Sequence, residues 1–187
     1  MYDINQYYGE SYYGKRMAFK ETVYPLLSKA IQEVMQPTDI VDVGCGNGVL
    51  MEGFSVSCVG IEASDEGVKH TANRGYTVIK HDLRNKLNIE RFNLAVSVEV
   101  AEHLEEEFAD MFVDNLVSLS DNVVVTASNV RGYSHFNPQP KSYWIDKFKL
   151  RGYELSNKTE EIVNIAKLKI KSPYDYLYNN LMVFIKV

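Results

Sequence analysis

Three glycines at alternate positions follow an acid in Asp42-Val-Gly-Cys-Gly-Asn-Gly48. Glycine lets a backbone turn sharply and leaves no side chain between main chain and ligand. Gly44, Cys45, Gly46, Asn47 and Gly48 therefore read as a loop on which a small molecule can lie. Eighteen residues beyond Gly44, at the end of a β-branched run, stands Glu62. An acid at such a place can accept hydrogen bonds from both hydroxyls of a ribose. The pair implies a nucleoside-containing cofactor. The glycines run G-x-G-x-G, not the G-x-G-x-x-G of a dinucleotide fingerprint. Asp42, just ahead of the loop, would repel a pyrophosphate and attract a cation. S-Adenosyl-L-methionine carries an ammonium and a sulfonium and no phosphate, so it fits this charge pattern.

A second set of reactive residues lies further on. Glu99, Glu102 and His103 stand at i, i+3 and i+4. If a strand runs into a helical turn there, all three project to one side. Two carboxylates and an imidazole in that arrangement can hold a divalent ion with positions open for substrate oxygens. Ser128 to Trp144 contains one histidine, His135. An unperturbed imidazole titrates near ~6.5, suited to taking a hydroxyl proton at neutral pH. His135 is thus the first candidate for a general base. A base acting without metal needs fewer assumptions than a three-ligand site and is the favoured reading. Tyr133, Phe136, Asn137 and Gln139 can shape a polar, aromatic pocket around it. Trp144 and Phe148 share one helix face and are expected in the core. His70 and His81 are expected at the surface.

Positioning these groups requires a frame. Met17 to Met35 has apolar residues at helical spacing, with Pro25 inside and Pro37 beyond. Five β-branched runs follow: residues 39–43, 55–61, 76–80, 92–98 and 122–127. Helical stretches are predicted between them over 49–53, 65–74 and 102–119. Strands alternating with helices imply a parallel sheet covered on both faces. The tail predicts a helix over 142–151, a strand at 153–155, a helix over 160–169 and a last strand over 181–187. The two tail strands are expected to close as an antiparallel hairpin at a sheet edge. Five of the first thirteen residues are tyrosines (Tyr2, Tyr7, Tyr8, Tyr12 and Tyr13). They read as an arm packed on the domain, with a lid over a pocket as the alternative.

Composition bounds the function. The chain has 187 residues, 45% hydrophobic and 24% charged, which is enough for one domain with its own core. The expected divisions are an arm and helix over 1–37, a cofactor-binding core over 38–127 and an acceptor-side loop with the tail strands over 128–187. Two cysteines make no disulfide framework, which points to the cytoplasm. No membrane span or signal peptide is evident. A net charge of −5 argues against a nucleic-acid partner. The partner expected is a small-molecule acceptor, and the oligomeric state is left open.

VDVGCGNG resembles the first motif of class I S-adenosylmethionine-dependent methyltransferases, and VGIEAS their ribose-binding second strand. KHDLRNKL resembles the third-strand loop, and FNLAVSVEVAEHL the fourth-strand block of the small-molecule branch. The resemblance implies a doubly wound, Rossmann-like α/β fold with a seven-stranded, mostly parallel sheet and an antiparallel last strand. It implies a cofactor site of Asp42, Gly44, Cys45, Gly46, Asn47, Gly48, Glu62 and Ala63. Asp82 would contact the adenine amino group and Leu83 pack on the ring, with Val98 and Glu99 at the end of the fourth strand. S-Adenosyl-L-homocysteine would be the product. The loop bearing His135 would overhang the acceptor, with His103 beside it. E-x-x-E-H is also similar to metal-binding residues in some quinone-precursor and small-RNA methyltransferases, which keeps Glu99, Glu102 and His103 as alternative metal ligands. The C-terminal half resembles glycan-associated methyltransferases, so a sugar hydroxyl is the expected acceptor. The alternatives are a metal-dependent RNA 2'-O-methyltransferase and a non-catalytic partner that binds the same cofactor. A nicotinamide-dependent oxidoreductase is disfavoured by the glycine spacing.

Overall fold

β-Branched and apolar runs form the strands: β1 (Asp39–Val43), β2 (Ser57–Glu62), β3 (Thr77–Lys80), β4 (Leu94–Val98), β5 (Asn122–Thr126), β6 (Tyr153–Leu155) and β7 (Met182–Lys186). The computed structural model describes residues 3–13 and 20–187. The strands make one sheet in the order β3-β2-β1-β4-β5-β7-β6. β1 to β5 pair in parallel, and β7 is reversed against both β5 and β6. The order turns back between β1 and β4, which is where open α/β sheets place their ligand crevice.

Side chains alternate across the sheet. Ile40, Leu94, Val96, Val124 and Val183 enter one core; Val41, Ala95, Val123, Val125 and Phe184 enter the other. This period of two, apolar on both faces, is what a sheet covered by helices on both sides requires. Helices α2 (Lys20–Met35) and α6 (Lys158–Lys169) cover the first face. Helices α4 (Ala109–Leu119) and α5 (Lys141–Lys149) cover the second. Trp144 and Phe148 are buried there as expected, Phe148 stacked on Phe184 with ring centroids 3.9 Å apart. Helix α3 (Asp65–Asn73) lies beside β3, its N-terminus capped by Ser64.

Several sequence expectations change. Pro25 lies inside α2 without ending it. The predicted helix start at Met17 and the tyrosine at position 2 lie outside the described residues. The predicted helix over 102–119 is shorter, because two single 3-10 turns (Ala101–His103 and Glu106–Phe108) precede α4. β6 and β7 are paired neighbours, but α6 and the short helix α7 (Tyr176–Asn179) intervene in the chain, so no tight hairpin joins them. The arm contains a four-residue helix, α1 (Ile4–Tyr7).

Candidate active site

The carboxyl ends of β1, β2, β3 and β4 surround a cavity of about 110 Å³. From the glycine loop it is lined by Gly44, Cys45, Gly46 and Asn47, and from β2 by Glu62 and Ala63. Asp82, Leu83, Val98 and Glu99 complete its sheet side. These are ten of the residues expected to hold a cofactor. Asp42 and Gly48 are not on the wall, for separate physical reasons. Asp42 belongs to β1 and is buried beneath the loop. Gly48 has φ +76° and packs on Thr71, only 3.0 Å from where a Cβ would stand. Gly44, at φ +78°, does line the cavity, and a Cβ there would collide with the Val100 side chain.

Glu62 is held on three sides. Oε1 accepts from the Ser64 amide at 2.8 Å and the Ser64 hydroxyl at 2.7 Å; Oε2 accepts from the Gly46 amide at 3.0 Å. The acid thus links the loop after β1 to the start of α3. Asp82 accepts from the Arg84 amide at 3.0 Å and forms an ion pair with its guanidinium at 2.7 Å, which holds the Asp82 carboxyl below the usual range despite partial burial. It therefore organises the turn after β3 as well as facing the cavity. Asp42 is different: one carboxylate oxygen has no hydrogen-bond partner, and burial, followed by the charge of Glu62, pushes its pKa up to about 8. No lysine or arginine lines the cavity among the described residues. An acid-rich wall without lysine or arginine among the described residues fits a cationic ligand and opposes a phosphate.

The arm takes the place of the alternative reading, a lid, rather than that of simple packing. Tyr8, Tyr12 and Tyr13 of the arm, with Tyr24 of α2, close the cavity. The Tyr13 and Ser64 hydroxyls lie 3.0 Å apart, the Asn5 side chain pairs with Asp65, and the Tyr8 hydroxyl meets Ser134 at 3.0 Å. Tyr12 stacks near Tyr133. The tyrosine count was the available signal; the partners were not visible in it.

Beyond the cavity opens a cleft of about 1150 Å³ under the loop after β5. Tyr12, Glu99 and His103 line both spaces. Glu102, His103 and His135 each place one ligand atom within 4.8 Å of the others. The expected trio with Glu99 is not formed, because Glu99 turns left-handed at φ +56° and its carboxylate accepts from the Thr126 hydroxyl at 2.9 Å. His103 sits in the 3-10 turn with Nδ1 3.0 Å from the Ser134 carbonyl. His135 has Nδ1 2.7 Å from the Val130 carbonyl. A carbonyl only accepts, so these bonds place a proton on each Nδ1 and leave the lone pair on Nε2. The rings meet edge to face at 4.8 Å. Gly132 lies against His135, where a Cβ would come within 2.8 Å of the imidazole. Glu102 is wholly buried. The amides of Glu102 and Ser128 lie close enough to favour its charge, yet neither carboxylate oxygen has a partner of hydrogen-bond geometry. Burial, then the charge of Glu99, holds this carboxyl well above its ordinary range. His70 lies on α3 and His81 bonds the Asn85 carbonyl; neither lines the cleft.

The strand order, the reversed β7 and the glycine loop beside an acid-ended β2 define the class I methyltransferase fold. Within it the chain belongs to the family described as methionine biosynthesis protein MetW, whose model matches residues 23–137. No curated protein sequence matches significantly. Among solved structures, the chain is similar to CalS10, an amino pentose methyltransferase from Micromonospora echinaspora involved in calicheamicin biosynthesis. That likeness has TM-score 0.68 and 12% identity, over 96% of this chain and 98% of that one. It is similar to the magnesium protoporphyrin IX methyltransferase ChlM of Synechocystis PCC 6803, at TM-score 0.65 and 16% identity over 98% and 89%. Both were solved with S-adenosylmethionine bound. The [4+2]-cyclase SpnF is similar at TM-score 0.62 and 12% identity over 87% and 81%. At these identities the likeness is one of fold, and the printed chemistries differ. No described helix is long and apolar enough to cross a membrane.

Proposed function

We propose that this chain is an S-adenosylmethionine-dependent methyltransferase acting on a hydroxyl of a small polar acceptor, such as a sugar. The observation that carries this reading is the shared wall: an acid-rich cavity lined by no lysine or arginine among the described residues opens at Tyr12, Glu99 and His103 into a larger cleft. Glu62 would receive a ribose hydroxyl, the Gly44–Asn47 loop the amino-acid portion, and Asp82 and Leu83 the adenine. The bound cofactor supplies an electrophilic methyl group on a sulfonium. The wall's role is then to align the acceptor with that group and to exclude water. The Nε2 lone pairs of His103 and His135 would take up the hydroxyl proton that the acceptor loses on methylation and pass it to water.

The cleft mixes Arg131 and Lys141 with Glu99, Glu102 and Asp175, which supports a small polar acceptor over an RNA backbone. The test is calorimetry followed by an acceptor screen. S-Adenosylmethionine and S-adenosylhomocysteine should bind one to one and NAD should not. Incubation with sugars and phenols should yield a product heavier by one methylene, with release of S-adenosylhomocysteine. Tight NAD binding would remove the cofactor assignment. Cofactor binding without transfer to any hydroxyl, nitrogen or RNA acceptor would favour a non-catalytic partner.

A further inference from the structure

We propose that Glu102, His103 and His135 form a binding site for one divalent ion of the zinc or cobalt type, open to the acceptor cleft. The three come from separate places: Glu102 and His103 from the turn after β4, and His135 from the loop after β5. One atom from each lies within 4.8 Å of the others. Neighbouring ligands at about 2.0–2.1 Å from a tetrahedral ion stand roughly 3.4 Å apart, so the most widely spaced pair of the trio, within 4.8 Å, has to draw in by up to about 1.4 Å, a shift that turning the His135 side chain in its loop can supply.

Two further observations point to an ion. Glu102 is a fully buried carboxyl beside that of Glu99, with no partner of hydrogen-bond geometry for its oxygens and no ion pair among the described residues. A buried carboxyl lacking both either keeps its proton or is matched by a cation, and the two imidazoles beside this one supply the other ligands a cation needs. In addition, each imidazole donates its Nδ1 proton to a backbone carbonyl, Ser134 for His103 and Val130 for His135. Metal-bound histidines are held this way, because a bond at one nitrogen orients the lone pair of the other.

The donor set selects the ion. Two imidazoles and one carboxylate match the three protein ligands of an open zinc site, with a fourth position for water or substrate. Magnesium prefers oxygen donors in a near-octahedral shell and keeps its waters. The open position faces the cleft, so it would take an acceptor oxygen and lower the pKa of its hydroxyl, letting the proton pass to cleft water. His135 then serves as a ligand rather than as a free base, and Glu99 stays outside the shell. The catalytic role rests on the methyltransferase reading; ion binding does not.

Cobalt(II) is the probe, because its visible absorption reports coordination directly. The full chain, stripped with a chelator, should bind one Co²⁺ and develop bands typical of four- or five-coordination. Zn²⁺ should displace it and millimolar Mg²⁺ should not. His135→Ala and Glu102→Gln should each weaken Co²⁺ by more than about 100-fold, since losing an outer partner alone costs about 10–100-fold. His81→Ala, outside the cleft, should leave affinity and spectrum unchanged. If Glu102→Gln does not fold, His135→Ala, in a loop, carries the test. Absence of one-to-one Co²⁺ binding by the wild type, or unchanged affinity in His135→Ala, overturns the site. Displacement by Mg²⁺ as readily as by Zn²⁺ overturns the ion class. S-Adenosylmethionine affinity, measured alongside, is expected to be unaffected by His135→Ala. Loss of cofactor binding in the wild type would count against the methyltransferase reading and leave the cobalt result standing.

Discussion

Glu62 has about four lone-pair positions on its carboxylate, and three are taken by Gly46 and Ser64. One position on Oε2 remains for a ribose hydroxyl, so the second hydroxyl must find another acceptor or displace an amide. Substitution therefore acts twice, on the cofactor and on the loop. Glu62→Ala should weaken S-adenosylmethionine by roughly 1.5–3 kcal/mol for the charge-assisted bond lost, and should also lower the melting temperature without cofactor. Equal affinity by calorimetry would remove Glu62 from the cofactor site. Asp42 tests the interior. The unfolded chain ionises an aspartate near ~3.9, whereas folding holds its proton to about pH 8. The stability this group contributes is whole below the lower value and is lost as pH climbs through the higher one. Asp42→Asn removes that dependence. It should gain on the wild type between pH 5 and pH 8 by up to a few kcal/mol, at no more than about 1.4 kcal/mol per pH unit. Urea unfolding without cofactor at the two pH values measures it, and a constant difference would contradict the assignment.

The elements around the first cavity are those whose signals are local, which is why its lining was largely legible in the sequence. β1 stops at a glycine run and β2 at Glu62, and both patterns lie within a few residues of sequence. The acceptor half depends on contacts that composition and spacing do not encode. Glu99 adopts φ +56°, a conformation non-glycine residues rarely take. The chain there enters a 3-10 turn, the predicted helix starts only at Ala109, and Glu99 stands apart from the Glu102–His103–His135 cluster. Helix α7 spans only four residues, too few for a period to show. The arm's tyrosines were conspicuous, but Tyr8 meets Ser134 and Tyr7 packs on Phe136 across most of the chain's length. The arm also yields a prediction. A cavity of about 110 Å³ is below the ~300 Å³ of ordinary small-molecule sites, so the tyrosine roof must lift or turn to admit a cofactor. Amides 3–13 should exchange hydrogen faster in the free protein and be protected once S-adenosylhomocysteine is bound. Protection that is the same in both states would mean the arm is a fixed wall.

Across the whole molecule, both sites gather along one edge of the sheet, where the strand order reverses and every loop from β1 to β5 emerges. The helical layers and the Trp144–Phe148–Phe184 packing stand behind them as a rigid back. Besides Glu99 and His103, which line both spaces, the arm reaches both sites: Tyr13 reaches Ser64 beside Glu62, Tyr8 reaches Ser134 beside His103, and Tyr12 belongs to both linings. That shared tyrosine imposes a sequence in time. A wall that settles only after the donor is seated cannot shape the acceptor's berth beforehand, so turnover should follow a compulsory order, donor first on and spent donor last off. In steady-state inhibition, S-adenosylhomocysteine should compete with S-adenosylmethionine but not with the acceptor. Tyr12→Ala should loosen the order toward random entry, and competition against both substrates in the wild type would show that the two doors open independently.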